Sequence, residues 1–217
     1  MRSFFLFTFI ILGLFIVVIF AISIIKEKPF KKINATNELT KPIIYSDDLV
    51  FGNPMAPIVI IEFGDYKCSA CKKVEPALKK ILETYPNQVK LIWKGIPGHN
   101  ESENALMASY CAQEQGQALN YHNLLFLNQS DLNEENIYFN LAQSINLNLE
   151  KFNRCLSNQV YSNLIQKNLL QAQELRIDAT PYFFIGEKSF FGAISFEQFQ
   201  IFIQEELKNH FYDKTNK

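Results

Sequence analysis

Two cysteines separated by two residues, Cys68-Ser-Ala-Cys71, are the residues of this sequence best suited to covalent chemistry. They stand where an apolar run of strand length gives way to a helical pattern. A helix N-terminus presents unpaired N–H groups and a partial positive charge, so a thiol placed there ionises more easily. A thiol with a pKa of about 8.5 is about 3% ionised at pH 7, whereas one shifted to about 6 would be roughly 90% ionised. Positions i and i+3 of a first helical turn also let two sulfurs close a disulfide without large backbone movement. On this reading Cys68, at the exposed end, exchanges with a substrate sulfur, and Cys71, one turn in, resolves the mixed disulfide. Two blander readings stand beside it: half of a zinc site, which lacks a second C-x-x-C or an H-x-x-x-H partner, and a pair of inert core thiols.

Glu62 lies inside the apolar run, six residues before Cys68. Burial raises a carboxyl pKa, which makes Glu62 a candidate proton acceptor when Cys71 must ionise; the alternative is a solvated carboxylate on an edge strand. Strand order suggests Lys94 as its partner. Thr180-Pro181 opens a later apolar run, where a proline at a strand's first residue and a trans bond are the default expectations. His99, His122 and His210 are scattered, which favours structural or surface roles and leaves little material for a metal site.

The elements that must position these groups follow from periodicity. Pro57–Phe63 is a continuous apolar run, the pattern of a strand covered on both faces. Apolar residues at Val74, Leu78, Ile81, Leu82 and Tyr85 then recur at helical spacing from Cys71, with Pro76 expected to kink the helix. Val89–Trp93 is a second strand. From about 100 to 177 the pattern is helical, with breaks at Gly116, Asn128–Asn133, Asn146–Asn148 and near Ser157. Strands return at Pro181–Ile185 and Ser189–Phe191, joined by Gly186-Glu187-Lys188. A capping box, Ser195-x-x-Gln198, opens a last helix that buries Phe199, Phe202, Ile203 and Leu207. The order is α/β, with a helical block inserted between two halves of a small sheet.

Among 217 residues, 21 Lys and Arg stand against 22 Asp and Glu, a net charge of −1 that provides no positive field for nucleic acid. Residues 4–25 carry no charge and reach roughly 33 Å as a helix, enough to cross a hydrocarbon core of about 30 Å. Residues 1–25 are therefore expected to be a transmembrane anchor, with a cleaved signal segment as second choice. Lysines at 26, 28, 31 and 32 follow the span, which by the positive-inside bias argues for a cytoplasmic domain and conflicts with the oxidising setting inferred below. Residues 26–41 read as a polar tether and 42–217 as one globular unit.

The ordered set Phe51-Gly-Asn-Pro-Met-Ala-Pro57, Glu62-Phe63, Asp65-Tyr66, Cys68-Ser-Ala-Cys71 and Thr180-Pro181-Tyr-Phe-Phe-Ile-Gly186 resembles the DsbA-like thiol:disulfide oxidoreductases of the thioredoxin superfamily, over about residues 48–207. The resemblance implies a thioredoxin fold, a redox disulfide between Cys68 and Cys71, an acidic residue at the place of Glu62, and a cis Thr180–Pro181 loop facing the active pair and pairing with an extended substrate. It also implies a structural disulfide, Cys111 to Cys155, with buried thiols as the alternative, and hence an oxidising compartment.

The expected function is disulfide exchange with unfolded or partly oxidised extracytoplasmic proteins, as a dithiol oxidase re-oxidised by a membrane redox partner. No cofactor, metal or nucleic acid is implied. Ser69-Ala70 supplies no imidazole to the Cys68 thiolate, which points to a less extreme oxidant. The short tether, without a dimerisation module, favours a monomer. The expected location is the bacterial cytoplasmic membrane, single-pass, with the catalytic domain on the periplasmic side. The rival readings are a reductase or isomerase with the same residues, and a thioredoxin-fold metal carrier or chaperone.

Overall fold

The computed structural model describes residues 39–215, with side chains described as far as 210; the expected anchor at 1–25 and most of the tether lie outside the described residues. Among the described residues no helix is long and apolar enough to cross a membrane.

The run of apolar residues after Pro57 becomes β2 (Ile58–Gly64), the middle strand of a five-stranded sheet whose order is β1-β3-β2-β4-β5. Its flanking strands are β3 (Val89–Gly95), which is parallel to it, and β4 (Tyr182–Ile185), which is antiparallel. A central strand is covered on both faces, which is why its residues need not alternate with polar ones. Ile61 and Phe63 pack with Ile92, Ile96 and Ile177 on one side, while Ile60 joins the larger core with Val74, Leu78 and Ile81 on the other. Those last three belong to α1 (Ser69–Thr84), which connects β2 to β3 and contains Pro76.

Two outer strands complete the sheet: β1 (Leu49–Gly52) on β3, and β5 (Lys188–Phe191) on β4. Lys188 pairs with Ile185, so the hairpin loop is Gly186-Glu187 and is one residue shorter than expected. Gly186 takes φ +57°, the left-handed conformation that favours glycine. The final helix α7 (Phe196–Thr215) is opened by the capping box: Ser195 N donates to Gln198 Oε1 at 2.9 Å and Gln198 N donates to Ser195 Oγ at 3.3 Å. It buries Phe199 and Ile203, with the Phe199 ring edge-on to Phe183 at 5.2 Å.

Between β3 and β4 the chain forms five helices: α2 (Ser102–Gln113), α3 (Ala118–Leu127), α4 (Ile137–Ser144), α5 (Leu149–Ser157) and α6 (Ser162–Glu174). A 3-10 turn at Gln129–Asp131 separates α3 from α4. The breaks fall where Gly116 and Asn146 adopt positive φ. Helix α2 is buried from Ala105 to Ala112, so its face is apolar all round rather than amphipathic. Its small residues allow close approach, and a Cβ on Gly95 would lie 2.1 Å from Leu106 Cδ2. Cys111 of α2 and Cys155 of α5 are joined by a disulfide across 44 residues.

Candidate active site

The C-terminal end of β2 delivers the chain to α1 through Asp65-Tyr66-Lys67, and the side chain of Asp65 organises that turn. Its buried carboxylate accepts from Lys67 N at 2.9 Å, Gly98 N at 3.0 Å, Ser102 Oγ at 2.5 Å and His99 Nδ1 at 2.5 Å. The Asp65 carbonyl takes the Cys68 N–H at 3.0 Å, and the Cys68 carbonyl takes Lys72 N at 3.2 Å. Cys68 is thereby the N-cap of α1, with φ −75° and ψ 119°, and Cys71 lies within its first turn.

Both cysteines are reduced thiols in this structure, and they differ sharply. Cys68 keeps 9% of its surface, a smaller opening than its terminal place on the helix suggests, whereas Cys71 keeps none. The Cys68 thiol is lowered to about 5: first by a hydrogen bond from the Cys71 side chain, against the opposing effect of burial, and then by the Thr180 side chain and the backbone N–H groups of Cys71 and Ala70. The helix terminus contributes, but the neighbouring thiol contributes more. Cys71 is driven in the opposite direction, strongly upward, by that same hydrogen bond, by burial and by the negative field of Glu62.

Glu62 is fully buried, and neither carboxylate oxygen has a hydrogen-bond partner among the described residues. Burial is the main cause that pushes its pKa well above the carboxylate range, reinforced by Glu75 and Cys68 and partly offset by the indole of Trp93. The edge-strand reading is overturned because β2 has a neighbour on each side. The proposed Lys94 partner is also wrong. In the parallel register Glu62 lies opposite Trp93 and Phe63 opposite Lys94, so Glu62 and Lys94 project from opposite faces of the sheet. Lys94 instead forms a fully buried ion pair with Asp48, whose carboxylate also takes Tyr45 N at 2.8 Å and Asn168 Nδ2 at 3.3 Å.

Thr180-Pro181 enters β4 through a cis peptide bond, and the Thr180 carbonyl faces Cys68, accepting from its Sγ at 3.3 Å. His122 is a buried linker, with Nδ1 2.9 Å from the Tyr66 hydroxyl and Nε2 3.1 Å from Glu75 Oε2. His99 is half exposed against Asp65. The sequence reading missed the placement of Asp65 and Gln129. Asp65 stood in the motif without a role, and the Gln129 carboxamide, far along the chain, donates to the carbonyls of Tyr66 at 2.7 Å and Cys68 at 2.9 Å.

An acidic thiol capping a helix, a buried second thiol one turn later and a cis-proline loop across from both define a thioredoxin-fold dithiol protein. The family Thioredoxin_4, described as thioredoxin, matches residues 45–205. Similar proteins include Na(+)/H(+) antiporter NhaA 3 of Salinispora tropica, 27% identical over 163 residues that make up 74% of this chain and 25% of the antiporter. The chain thus spans about a quarter of the antiporters it matches. Disulfide bond formation protein D of Bacillus subtilis is 26% identical over 170 residues, covering 73% of this chain and 77% of that protein. The crystal structure of oxidised BdbD from Bacillus subtilis superposes with a TM-score of 0.67 at 25% identity, covering 75% of this chain and 94% of BdbD. The chain belongs to the thioredoxin family.

Proposed function

We propose that this chain transfers disulfides to other proteins as a dithiol oxidase, with Cys68 as the exchanging sulfur and Cys71 as its resolving partner, on the outer side of a membrane. The observation that carries the reading is the asymmetry of the two thiols: Cys68 stands at the N-cap of α1 with an opening to solvent and its Sγ 3.3 Å from the Thr180 carbonyl, while Cys71, one turn in, is fully buried, and the two are pushed in opposite directions, Cys68 down and Cys71 up. In the oxidised protein a substrate thiolate attacks Cys68 Sγ, a mixed disulfide forms, and Cys71 leaves as a thiolate. Glu62, kept neutral by burial, gives that thiolate its proton. A second substrate thiolate then attacks the substrate sulfur of the mixed disulfide and releases Cys68. The substrate loses two electrons and gains a disulfide, and the Cys68–Cys71 pair gains both electrons.

Stabilising the departing Cys68 thiolate favours the reduced pair and therefore pushes disulfides outward. A pKa of about 5 lies between the values of about 7 for thioredoxin and about 3.5 for DsbA, in keeping with an oxidant of intermediate strength. The name of the Bacillus subtilis relative, disulfide bond formation protein D, supports the same direction. Neither the Cys68 thiolate nor a Cys68 disulfide has an S–H to occupy the Thr180 carbonyl, which then accepts an N–H from an extended substrate segment. Residues 1–25 would anchor the domain, and a membrane redox partner would take the two electrons to regenerate the disulfide. Equilibration with glutathione tests the direction: an oxidase requires a potential above that of thioredoxin, about −270 mV, whereas one at or below it would make the chain a reductase.

A further inference from the structure

The inserted helical block meets the redox loop at the three residues that end on the nucleophile. The Tyr66 side chain reaches α3, where its hydroxyl bonds His122 and its ring packs at 5.0 Å from Phe126. Lys67 Nζ bonds Asn133 Oδ1 in the turn before α4. Gln129 reaches the backbone, its carboxamide bonded to the carbonyls of Tyr66 and Cys68. The side chain is half-buried and comes from the 3-10 turn rather than from the sheet or α1.

We propose that Gln129 is a positioning residue for Cys68, a two-pronged clamp through which the helical insertion fixes the loop that carries the nucleophile; the inference rests on the exchange reading above. The physical reasons lie in the peptide groups that it holds. The Cys68 carbonyl belongs to the same peptide as the Ser69 N–H at the start of α1, and a hydrogen bond to the carbonyl polarises that N–H. The same carbonyl accepts Lys72 N, so holding it sets the direction in which the first turn of α1 aims its N–H groups at Cys68 Sγ. The Tyr66 carbonyl fixes the approach to the turn from the other side. Asp65 secures the loop against the neighbouring Gly98–Ser102 segment, and Gln129 secures it against the insertion. A role for the insertion follows: it sets the geometry and acidity of the attacking sulfur while lying outside the sheet that bears the dithiol.

The test uses the full-length chain with Gln129→Met, which has a similar length and no donor, and Gln129→Arg, which restores N–H donors. The midpoint of Cys68 thiolate formation is read by ultraviolet absorbance, together with the exchange rate on a protein disulfide. Gln129→Met is expected to raise the midpoint by about one pH unit, a shift that by itself leaves the rate nearly unchanged, and to slow exchange about tenfold through the lost positioning of Cys68, with Gln129→Arg recovering most of both. A folded Gln129→Met chain with an unmoved midpoint and rate overturns the proposal, even if its thermal stability falls, because a merely structural contact would behave that way. Should Gln129→Met fail to fold, Gln129→Asn, one methylene too short to span both carbonyls, reads the same two quantities with the same criteria. A wild-type midpoint near 8.5 would instead remove the exchange reading itself, whereas a wild-type midpoint near 5 with unresponsive variants removes the clamp alone.

Discussion

Replacing Cys71 by alanine isolates the largest influence on the reactive thiol. In the wild-type chain Cys68 titrates at about 5, and the hydrogen bond from the Cys71 side chain is the leading cause. A hydrogen bond to a charged group contributes about 1.5–3 kcal/mol, and about 1.4 kcal/mol corresponds to one pKa unit. Cys71→Ala should therefore move the midpoint up by about one to two units, to about 6–7, with the helix N–H groups and Thr180 still holding it below an ordinary thiol. At pH 5.5 the thiolate fraction falls from about 75% to between about 25% and 3%. The exchange rate is a poor reporter of this change, because nucleophilicity rises as the pKa rises, with a Brønsted slope of about 0.4–0.5. The two effects nearly cancel for a one-unit shift and leave about a threefold loss for two. Thiolate absorbance against pH is the assay that separates them. Cys71→Ser, which keeps a donor, should titrate closer to the wild type than Cys71→Ala. A Cys71→Ala midpoint still at about 5 would refute the reasoning and return the acidity to the helix terminus alone.

Glu62→Gln should slow disulfide donation about tenfold or more on the acid side of the raised Glu62 pKa, where the neutral carboxyl is the proton donor, and converge with wild type above it; a pH-independent loss would remove that role. The sign reverses for the reductive direction, in which Glu62 must accept the Cys71 proton, so the two directions need separate pH profiles. Loss of the Cys111–Cys155 bridge in Cys111→Ala/Cys155→Ala should reduce unfolding free energy in urea by about 2–4 kcal/mol, the range for a loop of this length, while a change below about 1 kcal/mol would contradict a constraining role. Lys94→Met leaves Asp48 buried without its cation and should cost about 3–5 kcal/mol, whereas Asp48→Leu/Lys94→Met should recover much of that; equal losses in the single and double variants would contradict the ion-pair account.

Strand β2, helix α1 and the capping box of α7 were legible because each depends on residues close in sequence: an unbroken apolar run, three-and-four spacing, and Ser195 with Gln198. The dithiol was legible for the same reason. Strand β1 was missed because Leu49–Gly52 is too short to show a period, and it exists through pairing with β3. The Glu62–Lys94 pairing failed because strand order alone does not give register, and here one residue decides which face a side chain occupies. Gln129 had no local signal, since its partners lie 63 and 61 residues earlier. The Cys68 acidity was expected from the helix terminus, but its leading cause is a side chain whose orientation only the folded turn defines.

Trapping tests the central claim most directly. Cys71→Ser cannot resolve a mixed disulfide, so mixing the reduced variant with an oxidised protein substrate should leave a covalent adduct that mass spectrometry maps to Cys68, persistent at pH 5.5 and absent in Cys68→Ser. No adduct at Cys68, or an adduct that survives Cys68→Ser, would contradict the account.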